Sequence, residues 1–122
     1  MSDIKSHKDL LVWQKAIKLV AQVYKLTDKF PKAEIYGITS QIRRCAVSIP
    51  SNIAEGKGRG SRADFGHFLI MARGSGCELE TQLTIGENLG YITKQELGDI
   101  LTELVEVMRM LNGLISSLKT ST

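Results

Sequence analysis

Six basic residues are the first candidates for chemistry: Arg43, Arg44, Lys57, Arg59, Arg62 and Arg73. Lys57, Arg59 and Arg62 fall within seven residues, GKGRGSR (56–62), a glycine-rich turn. Arg43, Arg44 and Arg73 are placed to extend that patch. Such cations neutralise phosphates and release counterions, and backbone amides at the start of a following helix add partial positive charge. No aromatic residue interleaves the cluster, so stacking on single-stranded bases is not expected. Contacts would run to the nucleic-acid backbone and carry little sequence information. A second constellation is polar. Gln41, Arg44, Ser48, Ser51 and Glu55 recur at helical spacing with Asn52 at their border, and Ser75, Glu78 and Gln82 form a matching strip further on. If the two faces meet, Glu78 can pair with Arg44. The strip reads either as a groove for a ligand or partner, or as a satisfied network that fixes helix register or a subunit interface.

Signals for catalysis are missing. His7 and His67 stand far apart in sequence, and no Glu-x-x-His occurs, so a di-iron bundle lacks its ligands. No serine or cysteine has an evident histidine base. GKGRG lacks the spacing of a phosphate-binding loop and follows a helix rather than a strand. Cys45 and Cys77 lie in predicted helices without a CxxC partner, which points to reduced, buried thiols rather than a disulfide or a metal site. No catalytic residue, metal or cofactor is expected.

The elements that must hold these residues are helices. Residues 7–29 carry two apolar stripes, Leu10, Trp13, Ile17, Val20, Tyr24 and Val12, Ala16, Leu19, Val23, Leu26, Phe30. Two stripes bury a wide face, and Lys15, Lys18, Gln22, Lys25 and Lys29 take what remains. Phe30-Pro31 ends this helix. A second helix over 34–56 uses Ile38, Ile42, Cys45, Ile49 and Ile53. Its apolar rhythm passes through Pro50 unbroken, so a continuous kinked helix is expected. A third over 61–89, capped by Ser61, has the stripe Phe65, Leu69, Ala72, Gly76, Leu79, Leu83, Gly86. Thr93 and Glu96 form a capping box for a fourth over 93–118, with Leu97, Leu101, Leu104, Met108, Leu111, Ile115 and Leu118 inward and Ile100, Val107 and Leu114 beside them. The final KTST is expected to fray. Short connections force neighbours antiparallel, which gives an all-α, up-down-up-down four-helix bundle.

The chain has 122 residues, 43% of them hydrophobic, enough for a single domain with one core. No apolar run reaches the roughly 18 to 20 residues of a membrane span. The N-terminal MSDIKSHKDLLVW has neither the apolar stretch nor the small-residue cleavage site of a secretory leader, so the expected location is the cytoplasm. Charge is unevenly divided. Residues 1–73 carry 13 Lys/Arg against 6 Asp/Glu, and residues 74–122 carry 3 against 7. A basic and an acidic side are expected, suited to a polyanion or to contact between subunits. The double stripe of the first helix, with Tyr24, Phe30 and Tyr36, exceeds what one small core hides, so a homo-oligomer is expected.

Several blocks are similar to one family. HKDLLVWQKAIKLV (7–20), FPKAEIYGITSQIRRCAVSIPSNIAEGKGR (30–59), GSGCELETQL (74–83) and LGYI (89–92) resemble the bacterial four-helix bundle proteins encoded in intervening sequences of 23S ribosomal RNA genes. Accessory proteins of diversity-generating retroelements are similar at greater distance. The resemblance implies a ring-like homopentamer associated with RNA or a nucleoprotein at the ribosome; no membrane partner is expected. It implies nucleic-acid contact most directly at Arg43, Arg44, Lys57, Arg59 and Arg62, which stand in or beside the matching blocks. A protein-interaction scaffold without nucleic-acid binding is the alternative. The Gly76-Cys77 pair departs from the family's pattern of a larger apolar residue before an alanine.

Overall fold

The computed structural model describes residues 6–120. Residues 1–5, part of the stretch read above for a leader, and residues 121–122 of the KTST tail lie outside them. Four helices follow in order: α1 Leu11–Thr27, α2 Ile38–Arg59, α3 Arg62–Asn88 and α4 Lys94–Thr120. The backbones of α1 and α2, α2 and α3, α3 and α4, and α4 and α1 lie side by side. Each pairing is antiparallel. Ser48 meets Ser75 while Gly56 meets Phe65. Arg62 reaches Leu118 while Arg73 reaches Asn112. Lys15 reaches Glu106 while Lys29 reaches Glu96. The bundle is therefore up-down-up-down.

The helix ends differ from the expected ones for local reasons. His7–Asp9 forms a 3-10 turn closed by a Ser6–Asp9 capping box, and Leu10 is extended, so α1 starts at Leu11. Lys32–Glu34 is another 3-10 turn, and α2 starts at Ile38. At its far end α2 runs through Gly56 and Gly58 and stops only where Gly60 adopts φ +86°, a left-handed conformation that suits glycine. Pro50 sits inside the continuous α2. Its ring is buried on the α1 side, beside Trp13, Ile17 and Val20. The Ser61 cap on Asp64 N (3.1 Å) and the reciprocal Thr93–Glu96 box both form as read from the sequence.

The core is built of Leu19, Val23, Ile42, Ile49, Ile53, Leu69, Leu79, Leu83, Leu104 and Leu111, all fully buried. Each such side chain contributes about 1.5–3 kcal/mol relative to exposure. The α3 stripe from Leu69 to Gly86 is inward as expected, with Phe65 half-buried at its start. In α1 the inward stripe is Val12, Ala16, Leu19, Val23. Its companion stripe faces outward at Ile17 (43% exposed) and Tyr24 (42%). In α4 the deepest positions are Ile100, Leu104, Val107, Leu111 and Ile115, while Leu97, Leu101, Met108 and Leu118 are only half-buried. The true seam is thus turned toward the flanking positions. Gly56 and Gly76 let the helices close up, Gly56 under Phe65 and Phe68, Gly76 under Met108.

Candidate functional site

The α2–α3 seam gathers the polar strip. The hydroxyls of Ser48 and Ser75 share a hydrogen bond of 2.8 Å. Asn52 Nδ2 donates to the Ser48 carbonyl (2.8 Å) and to its Oγ (3.0 Å). Cys45, which the sequence marked only as a core position, joins the network. Its thiol donates to the Ser75 carbonyl (3.0 Å) and to Glu78 Oε1 (3.5 Å). Burial, with Glu78 beside it, pushes the Cys45 thiol up to about 12. It stays neutral at physiological pH and serves as a donor, not a nucleophile. Cys77, expected to be buried as well, is exposed on α3. The signal was present in the spacing, since Cys45 precedes Ser48 by three residues.

The expected Arg44–Glu78 pair does not form. Both side chains border one cavity of about 500 Å3, yet no ion pair joins them among the described residues. One residue advances a helix by about 100°. Cys45 takes the inward position, and that leaves Arg44 outside, exposed. Glu55 also stands apart from the network, paired with Arg59 along α2 at 2.9 Å. Gln82 lines the cavity with its Oε1 buried and without a hydrogen-bond partner.

The six basic residues are not one patch. Lys57, Arg59 and Arg62 do cluster at the α2–α3 turn. Each is engaged there: Lys57 over the Phe65 ring (5.7 Å), Arg59 over Phe68 (5.0 Å) and on Glu55, Arg62 on the Ser117 and Leu118 carbonyls at the end of α4 (3.5 and 3.3 Å). The aromatics absent from the local sequence come from α3, one turn past the glycines. Arg43 lies 14 residues earlier, about 21 Å along the helix axis. It pins α2 to the end of α1, donating from Nε to Thr27 Oγ1 (2.8 Å), pairing with Asp28 (3.1 Å) and stacking over Tyr24 (4.6 Å). Arg73 donates to Asn112 on α4 (3.0 Å). Only Arg44 among the cations of α2 has neither an ion pair nor a ring partner among the described residues.

Two lysines of the lysine stripe, Lys15 on α1 and Lys29 just beyond it, reach acids of α4. Lys15 pairs with Glu106 at 2.7 Å, and Lys29 pairs with Glu96. The hydrogen bonds from Lys29 and the Thr93 backbone hold the Glu96 carboxyl below the usual range, and Lys15 does the same for Glu106. Lys25, Asp99 and Glu103 border the same groove. Two ion pairs along α1–α4 thus join the basic half of the chain to the acidic half.

Nothing among the described residues assembles a metal site, since no group of three or more His, Cys, Asp or Glu comes together. His7 packs edge-on to Trp13 and His67 to Phe68. No described helix is long and apolar enough to cross a membrane.

The fold has known counterparts. A solved structure of a protein with unknown function from the S23 ribosomal protein family of Bacteroides thetaiotaomicron VPI-5482 superposes with a TM-score of 0.81 at 26% identity. The match covers 87% of this chain and 96% of that one. No curated protein matches the sequence. Neither that structure nor the family below is described as an enzyme. The 23S rRNA-intervening sequence protein description matches residues 8–113, which include all of α1, α2 and α3 and most of α4, and the chain belongs to that family.

Proposed function

We propose that the protein is a non-enzymatic, cytoplasmic homo-oligomer that associates with RNA through the basic end formed by Lys57, Arg59 and Arg62. The observation that carries this is their convergence at the α2–α3 turn, beside the capped start of α3. Lys119 lies close by, in a groove shared with Arg62. Glu55 and Asp64 are acids on the same two helix ends, and the three cations with Lys119 outnumber them. One such end is a weak polyanion site, but copies repeated around an oligomer act together through avidity.

Assembly is supported by two apolar grooves on opposite sides of the bundle. Trp13, Ile17, Val20 and Pro50 line the α1–α2 groove, and Gly66, Ile70 and Ile115 line the α3–α4 groove. Different faces on opposed sides suit head-to-tail contacts, which form a ring when the rotation between copies closes. Family resemblance favours a ring of five. Light scattering is expected to give a mass above one chain, and a stable monomer at micromolar concentration would remove this part of the reading.

The test of RNA association is an electrophoretic shift with structured RNA over a salt series. Affinity should fall with a log–log slope of roughly 0.7 to 0.9 per phosphate contacted. The triple change Lys57→Ala, Arg59→Ala, Arg62→Ala should weaken binding to unrelated RNAs and flatten the slope without altering oligomeric state. A protein-interaction scaffold is the second reading. It is favoured by one observation: each of the three cations already has an intramolecular partner. No binding at low salt, or an unaffected triple variant, would select it.

A further inference from the structure

We propose that the cavities meeting at Arg44 form a binding site for a monocarboxylate on an apolar body, separate from the basic end. Arg44 and Ser40 stand on the ridge between two cavities of about 350 and 500 Å3. Those volumes fall in the range of small-ligand sites, roughly 300 to 1,000 Å3. Arg59, the far basic residue of α2, is 15 residues away, about 22 Å along the axis.

Unmet hydrogen-bonding capacity borders both cavities. Two buried side-chain polar atoms lack a partner among the described residues, Thr39 Oγ1 and Gln82 Oε1. Thr39, only 2% exposed, lines the first cavity, and Gln82 lines the second. A buried polar group without a partner costs about 1–3 kcal/mol, and a side-chain rotation that turns either atom toward a ligand's polar group recovers that cost. Arg44 supplies a planar donor fork that matches a carboxylate in two parallel hydrogen bonds. Ser40 and Thr39 add hydroxyl donors.

The charges select the class of ligand. In the first cavity, Arg43 is already neutralised by Asp28, and no carboxylate lines the wall. In the second, Glu78 stands on the far wall. One uncommitted cation therefore faces the ligand, which suits a single negative charge, while a phosphate dianion would meet Glu78 without a second cation to offset it. Ile35, Val47 and the Tyr24 ring give the first cavity apolar walls, which suit an alkyl or aryl body. Gln82 and Glu78 accept hydrogen bonds from any N–H or O–H that the ligand carries into the second cavity. The carboxylate has two possible sources, a free small acid or the acidic side chain of a peptide.

The test is a titration of the full-length protein, in its native assembly, followed by nitrogen-edited NMR. Phenylacetate should shift the Ser40 backbone amide and the Arg44 Nε–H saturably, and phenylacetamide should not. Arg44→Gln should weaken phenylacetate at least about tenfold, the loss of one charge-assisted pair. Its melting temperature should hold, because the side chain is exposed. Thr39→Val should fold at least as stably as the parent, having lost an unpartnered buried hydroxyl, yet bind more weakly. A capped peptide with one glutamate that binds more tightly than phenylacetate identifies a protein segment as the source; the reverse identifies a small acid. The proposal is overturned if phenylacetamide binds equally well, if Arg44→Gln binds as the parent does, if inorganic phosphate competes as strongly as phenylacetate, or if no saturable shift occurs. RNA binding by the basic end, and its loss in the triple variant, is read out independently of every one of these results.

Discussion

Across the α2–α3 seam, backbone lies close to backbone and short polar side chains bond each other. Gly56 admits Phe65 and Phe68, and Ser48, Ser75, Asn52 and Cys45 close a small network. Across the α1–α4 seam, long charged side chains meet at the surface, Lys15 with Glu106 and Lys29 with Glu96. The first seam is short-range and depends on shape. The second is longer-range, screened by salt and tolerant of shape. A bundle joined both ways is stiff along one edge and adjustable along another.

The comparison breaks most readily at Gly56. A Cβ there would lie 2.6 Å from Phe68 Cβ and 3.3 Å from a Phe65 ring carbon. Gly56→Ala should therefore overpack the seam and cost about 2 kcal/mol in urea denaturation, even after the helix-propensity gain. At Gly58 an added Cβ meets nothing. Gly58→Ala should instead stabilise by up to about 1 kcal/mol. Equal effects at the two positions would show that close approach is not what organises this seam.

A smaller loss is expected at the serine pair. Ser48→Ala leaves Ser75 Oγ and Asn52 short of a partner and should cost about 1 kcal/mol. The double change Ser48→Ala, Ser75→Ala should cost less than the sum of the single changes, because it removes both ends of one hydrogen bond. Additive values in the cycle would mean that the hydroxyls are not coupled.

The smallest effect belongs to α1–α4. At neutral pH, Lys15→Ala should barely move the melting temperature, and what movement there is should vanish in high salt. Acid should expose the seam. Glu96 and Glu106 have folded pKa values below the ordinary one, so their stabilisation is present above the unfolded value of about 4.3 and is lost as pH falls through the folded values. Glu96→Gln with Glu106→Gln should flatten the acid limb of a stability–pH curve. An unchanged acid limb would show that these pairs contribute nothing.

The helices were readable because their apolar residues repeat at 3 and 4, and the α3 stripe from Leu69 to Gly86 is inward position by position. Periodicity did not show which α1 stripe faces inward, because both keep the same rhythm and only the neighbouring helices decide. Helix ends depended on interactions distant in sequence or on backbone angle. Glu34 is held by the Tyr91 hydroxyl at 2.7 Å, next to the start of α2, and Gly60 rather than Gly56 turns left-handed. The polar seam was legible as two strips, and its Ser48–Ser75 contact follows from their meeting. Arg44–Glu78 failed as an inference because a helical face sets direction but not depth. The roles of Arg43 and the α1 lysines were hidden for a different reason: their partners, Thr27, Asp28, Glu96 and Glu106, belong to other elements.

Arg62 closes the last turn of α4 by donating to the Ser117 and Leu118 carbonyls, so the basic end and the end of α4 share one guanidinium. A polyanion that draws the Arg62 Nη2 away from those carbonyls removes a cap from the final turn of α4. Occupancy at one end of the bundle and order in the final helical turn are thus in competition. Amide exchange around Ser117 and Leu118 becomes a reporter of binding that needs no label on the RNA, quickening as the basic end fills.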